Sequence, residues 1–315
     1  MLKLLYVPSG YSRVYSYLDQ SIYEAFCANS QLEVQRFHRL PSLMKLQQMC
    51  QTFKPSFIFT LLGYKWTTPL WAWCKRKGLP VVTWFTEDPY MIDRSLEVLP
   101  YTVMPLTIDQ NALNFYKQRG HSNAYYLPLG TNETVYRPLP SAKKVDVTLV
   151  GYPYPDRVEM IRSLALSTSY RIRVVGPWPE LPDHVSVINR WVPPDKVASY
   201  YNSSKLVLNT YRRKDEKGNH NSQQIENVSV NNRTFEIASC NVLQISEYKQ
   251  DLYNHFSKDS IVSFQSLDEL IKQIDYYLLH DKKREKKAQK AYEEALTRHT
   301  FHQRITTIIN NLAHI

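Results

Sequence analysis

The chain has 315 residues, 43% of them hydrophobic and 22% charged, with a net charge of +10. That length is more than one ordinary domain needs and suits two of about 150 residues, each large enough to bury its own core. The short apolar run in the opening MLKLLYVPSG meets Pro8 and Gly10 too soon for a secretory signal core or a membrane span, so it reads as a buried strand and a cytoplasmic location is expected.

Four cysteines, Cys27, Cys50, Cys74 and Cys240, are scattered, with no CxxC pair and no His/Cys cluster at zinc spacing. Reduced, mostly buried thiols and no metal site are the expectation. The basic excess contains one block, Lys282-Lys283-Arg284-Glu285-Lys286-Lys287, in a stretch with helical character, which reads as a solvated face. The rest is spread along the chain. It suits an anionic small molecule better than nucleic acid, for which no module signature is present. Tyrosine is abundant, at 23 residues. Its ring stacks on sugars and bases while its hydroxyl hydrogen-bonds, although a half-buried α/β surface uses tyrosine too.

In chain order, strands are expected at 2–7, 57–62, 81–85, 103–106 and 124–127, with helices at 12–27, 67–77 and 110–119. Arg119-Gly120 reads as the C-cap of the last of these. The second half repeats the rhythm. Its strands fall at 145–150, 171–175, 185–189, 205–209, 242–245 and 260–264, and its helices at 157–166, 195–201, 232–238, 267–279 and onward to the C-terminus. Between the halves, LPLGTNETVYRPLPSAKK (127–144) is rich in proline, glycine and polar residues and reads as a linker. Two similar α/β halves, each a parallel sheet covered on both faces, place ligands at the carboxyl ends of strands.

Four segments sit at such ends. Pro8-Ser9-Gly10-Tyr11 follows the first strand, where a glycine lets the backbone approach a ligand, as it does in many βα turns. Thr86-Glu87-Asp88-Pro89-Tyr90 places two adjacent acids after the third strand, suited to general-base work, to holding sugar hydroxyls, or only to capping a helix. In Gly151-Tyr152-Pro153-Tyr154-Pro155-Asp156-Arg157, glycine gives the turn, and Arg157 at a helix start opposes the helix dipole unless it faces an anion. Finally, Asn231-Asn232-Arg233-Thr234-Phe235-Glu236 opens a short helix after a polar loop that begins at Arg212. Arg233 can face a diphosphate, and a carboxylate three residues on lies on the same face and can accept both hydroxyls of a ribose. An intrahelical Arg–Glu surface pair is the alternative.

Taken together these segments resemble the CgeB family of spore maturation proteins, which belong with GT-B glycosyltransferases of the retaining GT4-like type. The matching pieces are VPSGYSRVYS, FTEDPY, LTIDQNALNFYKQRG, YLPLGTNETVYRP, VTLVGYPYPDRVEMI, KLVLNTYR, NNRTFEIASC and RHTFHQRI. They cover most of the chain, and NNRTFEIASC is the most specific.

The resemblance implies two Rossmann-like domains, 1–130 on the acceptor side and 131–297 on the donor side. A cleft lies between them, and a C-terminal helix over 298–315 crosses back to the first domain. It implies a nucleotide-sugar donor, with UDP favoured, and no cofactor or metal. The acceptor is a protein or polysaccharide of the spore surface, reached from the mother-cell cytoplasm, and closure about 128–140 excludes water.

By position, Glu236 matches the ribose-binding carboxylate, and Arg157 and Arg233 sit where diphosphate contacts are expected. Gly10, Gly151, Tyr152, Arg212, Asn232, Thr234 and Phe235 complete the expected donor set. Ser9, Tyr11 and Tyr90 fall on the acceptor side, and Glu87 and Asp88 are the catalytic candidates. The family's sugar-contacting glutamate would lie eight residues before Glu236, where this chain has Val228, with Glu226 and Asn227 out of register. That departure leaves open a non-catalytic coat or scaffold protein on the same fold. A sugar-nucleotide epimerase is a further reading.

Overall fold

The computed structural model of the chain describes residues 1–312, and the chain divides into two compact units. The first holds Met1–Leu129, Arg213–Ser229 and the chain from Phe301 onward; the second holds Gly130–Arg212 and Val230–Thr300.

In the first unit the strands are β1 (Leu2–Val7), β2 (Leu32–Arg36), β3 (Phe57–Leu61), β4 (Val81–Phe85), β5 (Met104–Thr107) and β6 (Tyr125–Tyr126). They pair in parallel, in the order β2-β1-β3-β4-β5-β6. Parallel neighbours need crossover connections, which here carry α1 (Val14–Cys27), α2 (Leu43–Phe53), α3 (Thr68–Arg76), α4 (Ile92–Val98) and α5 (Gln110–Gln118). Successive residues of a strand face opposite ways. Leu4 and Tyr6 therefore join one core with Trp84 and with Ile22 and Phe26 of α1, while Leu5 and Val7 join another with Ile58, Phe85 and Tyr116. Burial on both faces is why these strands are continuous apolar runs.

Residues 28–56 carry no element by periodicity, yet β2 and α2 lie there. β2 is an edge strand in which only Leu32 is fully buried, and α2 buries only Leu46 and Phe53. Their hydrophobic signal is correspondingly thin. The ends of α2 are clearer: Ser42 Oγ accepts from the Lys45 amide, and Lys54 takes the left-handed conformation at φ 54°.

The second unit contains β7 (Val145–Val150), β8 (Ile172–Val175), β9 (Ser186–Ile188), β10 (Ser204–Asn209), β11 (Leu243–Glu247) and β12 (Val262–Phe264). These are also parallel, in the order β12-β11-β10-β7-β8-β9. Its helices are α6 (Pro155–Ser167), α7 (Pro194–Asn202), α8 (Asn232–Ser239), the single turn α9 (Leu252–His255), α10 (Leu267–Leu279) and α11 (Asp281–Arg298). One core joins Val147, Leu149, Leu206 and Leu208 to Ile161 and Ile274; another sets Phe235 and Ala238 of α8 against Ala291 and Ala295 of α11. Alanine at the α8–α11 contact lets the two helices approach closely. The strand order reverses between β1 and β3 in the first unit and between β7 and β10 in the second. At such a switch point the flanking connections diverge and leave a crevice beyond the carboxyl ends.

Helix α12 (Phe301–Leu312) belongs to the first unit and buries Phe301, Ile305, Ile308 and Ile309 in the core that α1 also lines. The expected helix runs to residue 315, and its last three residues lie outside the described ones. Arg304 is buried there and donates through Nε to the Pro128 carbonyl at 2.7 Å; burial pulls its pKa down to about 10. In the second unit the Thr131 amide donates to the His299 carbonyl at 2.9 Å and Thr131 bridges Thr300. Two crossings between the units, at Leu129–Gly130 and Thr300–Phe301, are thus fastened to each other on both sides. The first falls inside the Pro/Gly-rich segment 127–144.

The loop after β10 differs from expectation. Residues 213–229 lie in the first unit, not with the second half. The amide and hydroxyl of Ser222 donate to the Asp93 carboxylate at 2.9 and 2.7 Å, and the His220 amide donates to the Tyr90 carbonyl at 2.8 Å. Asp109 caps α5 through the Ala112 amide at 3.0 Å. The same carboxylate accepts from Asn227 Nδ2 and from the Val228 and Ser229 amides at 3.0, 2.9 and 3.2 Å. Ile225 enters the core beside Phe85.

The four thiols are unpaired. Cys74 and Cys240 are buried as expected, Cys50 is half-buried, and Cys27 is exposed. Among the described residues no helix is long and apolar enough to cross a membrane.

Candidate active site

The second unit's switch point brings the turn after β7 against the end of β10. Gly151 and Gly176 follow the neighbouring strands β7 and β8, with φ of 153° and 140°. A methyl group at Gly176 would lie 2.3 Å from the Gly151 carbonyl oxygen, so that contact admits only glycine. At Gly151 it would lie 2.8 Å from Nη1 of Arg157 and 3.2 Å from Nη2 of Arg233. Two guanidinium groups thus close on one bare stretch of backbone. Like charges held this near are unfavourable unless an anion joins them.

Arg157 does not point out along the helix axis. It is buried, donating from Nε to Thr210 Oγ1 at 2.7 Å, from Nη2 to the Thr210 carbonyl at 2.8 Å, and from Nη1 to the Tyr152 carbonyl at 2.9 Å. Its conflict with the α6 dipole is therefore resolved by carbonyls and a hydroxyl that tie the β7 turn to the end of β10. Arg233 is half-exposed and makes no side-chain hydrogen bond or ion pair among the described residues. It is the guanidinium available to a ligand.

The N-terminus of α8 is placed by two asparagines that sequence reasoning missed as positioning residues. Asn209 and Asn231 exchange amide hydrogen bonds at 3.1 Å each way, and Asn231 Oδ1 caps the Thr234 amide. Paired asparagines ending a strand and starting a helix were the available signal. Glu236 is buried; it accepts from Asn232 Nδ2 at 2.8 Å and from the hydroxyl of Tyr136. Burial lifts its pKa to about 7, against the opposing pull of Asn232 and the Arg233 charge. No Arg233–Glu236 salt bridge forms.

Two of the expected donor residues face inward. Thr234 is fully buried against Asn209, and Phe235 packs on His255, Phe256 and His299. These side chains hold α8 in place. Tyr152, 60% exposed, has its ring tilted against that of Tyr154 at 5.1 Å, and Arg212 lies 5.6 Å from the Tyr154 ring.

In the first unit Gly10 has φ 77°, and a methyl group there would meet Leu40 at 2.5 Å, so packing already requires the glycine. Gly10 belongs to this unit and not with the other donor candidates. Ser9 is buried, its hydroxyl donating to Asp19 at 2.7 Å. The Tyr11 ring lies tilted against that of Tyr15 at 5.5 Å, and the Tyr15 hydroxyl donates to Glu87 at 2.7 Å. The two adjacent acids separate sharply. Asp88 is fully buried, accepting from Ser95 Oγ and the Tyr116 hydroxyl at 2.7 Å each, and burial raises its pKa to about 7. It is enclosed, whereas Glu87 is half-exposed and oriented by Tyr15. Tyr90 is half-buried, its carbonyl taken by His220. Val228, at the family's glutamate position, is bound through its amide to Asp109, and Glu226 is paired with Lys214 at 3.2 Å. Among the described residues no group of three or more His, Cys, Asp or Glu is placed to hold a metal ion.

The sequence model of the family described as "Glycosyl transferase-like" matches residues 136–310, which spans the donor candidates of the second unit and most of α12. The chain belongs to this glycosyltransferase family and, within it, to the CgeB spore proteins. Spore protein CgeB of Bacillus subtilis (strain 168) is 32% identical over 311 residues, covering 95% of each chain. Among solved structures, HepE of Anabaena, in complex with UDP-glucose, superposes with a TM-score of 0.68 at 12% identity over the whole of both chains. Sucrose-phosphate synthase of Thermosynechococcus elongatus gives 0.66 at 11% identity over 99% of each. At such identities the structural likeness carries the fold, which is GT-B.

Proposed function

We propose that the chain transfers a sugar from a UDP-sugar, without a metal ion or other cofactor, to a protein or polysaccharide acceptor of the spore surface, acting in the mother-cell cytoplasm. The observation that carries this is the convergence of Arg157 and Arg233 on Gly151, with Glu236 one helical turn beyond Arg233. The diphosphate lies against Gly151, where only a residue without a side chain allows it, and meets Arg233 directly. Glu236 accepts the ribose hydroxyls. UDP is favoured because HepE is seen with UDP-glucose, and the spore surface because of kinship with CgeB.

In the transfer, the bond from the sugar's anomeric carbon to the diphosphate oxygen breaks and the electron pair leaves with UDP. The arginines stabilise that growing charge, the role a divalent cation would otherwise take. The new bond forms to an acceptor hydroxyl, and Glu87, the accessible acid of the pair, takes up its proton. Asp88 positions the turn that carries it.

Calorimetry with UDP, ADP and GDP in chelator tests the reading. UDP binds with and without magnesium, and Arg233→Ala weakens it by about tenfold or more. Undiminished affinity in Arg233→Ala, or binding only with magnesium, overturns it.

A further inference from the structure

The residues after β1 and β2 surround a cavity of about 520 Å³ that lies wholly in the first unit. It adjoins the β1–β3 switch point, where the Lys65 ammonium donates to the Gly10 carbonyl at 2.8 Å and lies 4.1 Å from the Tyr11 ring. Its wall combines aromatic and basic side chains. Tyr11 and Phe37 supply half-buried rings, and Arg36, His38 and Arg39 supply basic side chains.

Arg36 is held in place. Its guanidinium lies 4.1 Å from the Tyr23 ring and Nη1 donates to Gln20 Oε1 at 2.7 Å, which leaves most of its five donors unused. Among the described residues the side chains of His38 and Arg39 make no hydrogen bond or ion pair. Asp19 is the one carboxylate in the wall, and it is already occupied. Its oxygens accept from the Ser9 amide and hydroxyl and from the Tyr6 hydroxyl. Positive charge therefore dominates the open side. Of the lining residues, Tyr11 has its ring 5.5 Å from that of Tyr15, whose hydroxyl donates to the accessible acid Glu87.

We propose that this cavity is the acceptor subsite and that it selects an acidic saccharide. A carboxylate or phosphate on the saccharide is met by Arg36 and Arg39, while Tyr11 and Phe37 carry a face of the sugar ring. The proposal rests on the sugar-transfer reading for its purpose, though the cavity's selectivity can be measured without a donor.

The test is calorimetry on the full chain with three probes: a galacturonate trisaccharide, a phosphate-bearing maltose and neutral maltotriose. At least one acidic probe binds about tenfold or more tightly than maltotriose, and Arg36→Gln/Arg39→Gln removes that advantage. The acidic probe that binds more tightly identifies carboxylate or phosphate as the recognised group. Equal binding of all three, absence of binding by both acidic probes, or unaltered selectivity in the double variant overturns the proposal. An unchanged thermal midpoint shows that the variant is folded. If UDP binds and the acidic probes do not, only the cavity assignment fails; if the acidic probes bind and UDP does not, the donor reading fails and the cavity stands.

Discussion

Glu236 is a carboxylate whose environment keeps it near its titration point. Burial raises its pKa to about 7, whereas its proposed role, accepting two ribose hydroxyls, requires the ionised form. Affinity for UDP-glucose, whose diphosphate does not titrate in this range, therefore rises about tenfold between pH 6 and pH 8. Glu236→Gln binds more weakly and loses this slope; calorimetry at the two pH values checks both. A slope that persists in the variant would place the titrating group elsewhere. Asp88 gives the complementary effect on stability. Its folded value of about 7 lies above the ordinary 3.8, so the folded chain holds this proton more firmly than the unfolded one. The resulting stabilisation is complete below the ordinary value and is lost as pH rises to about 7, on the order of 2–4 kcal/mol. Asp88→Asn keeps a neutral group at the site, so its thermal midpoint falls less between pH 5 and pH 8 than that of the parent chain. Parallel decline in both would show that Asp88 is not responsible.

At the scale of elements, Asp109 does two jobs with one carboxylate: it caps α5 and ties down the end of the 213–229 loop. Asp109→Ala leaves the Val228 and Ser229 amides without their acceptor, costs about 2 kcal/mol or more, and frees the loop. Trypsin then cuts at Lys214 or Lys217 before it cuts elsewhere; an unchanged digestion pattern would mean that Asp93 and Ile225 hold the loop without it. This loop also shows where sequence reading stops. The main strands of both sheets announce themselves as apolar runs, and the NNRTFE segment points to the proposed α8 site because arginine and glutamate fall on one helical face. Nothing in RRKDEKGNHNSQQIENVS indicates which unit it will join, because its anchors are hydrogen bonds to Asp93 and Asp109 and the packing of the lone Ile225, all with partners distant in sequence. The fate of the Glu87–Asp88 pair is equally hidden. Adjacent residues in a strand-to-helix turn point different ways, and only the partners Tyr116 and Ser95 show which acid is enclosed. Arg157 is misleading for the same reason, since two of its three acceptors sit at Thr210, just past the end of another strand.

Over the whole molecule, the chain passes between the units four times, at Leu129–Gly130, Arg212–Arg213, Ser229–Val230 and Thr300–Phe301. Neither unit is a contiguous stretch. A fragment ending at residue 129 retains every strand of its sheet but lacks α12, so Leu4, Tyr6, Trp84 and Leu106 lose the cover of Phe301, Ile305 and Ile308. Burying each such isoleucine or phenylalanine is worth about 1.5–3 kcal/mol, a large share of the roughly 5–15 kcal/mol that holds a domain folded. The fragment accordingly shows no cooperative thermal transition by circular dichroism, whereas the full chain does. A sharp transition in the fragment would mean that α1 and the sheet suffice.

Helix α12 also has a consequence for how the polypeptide emerges from the ribosome. The residues made first are the last to be completed, because the apolar face of their sheet waits for a helix encoded at the other end of the message. Through the synthesis of nearly the whole second unit, that face has no permanent cover, and a nascent chain in that state is open to aggregation and to chaperones. Translation that stalls after the second unit but short of Phe301 leaves a protein with a finished second unit and an unfinished first one.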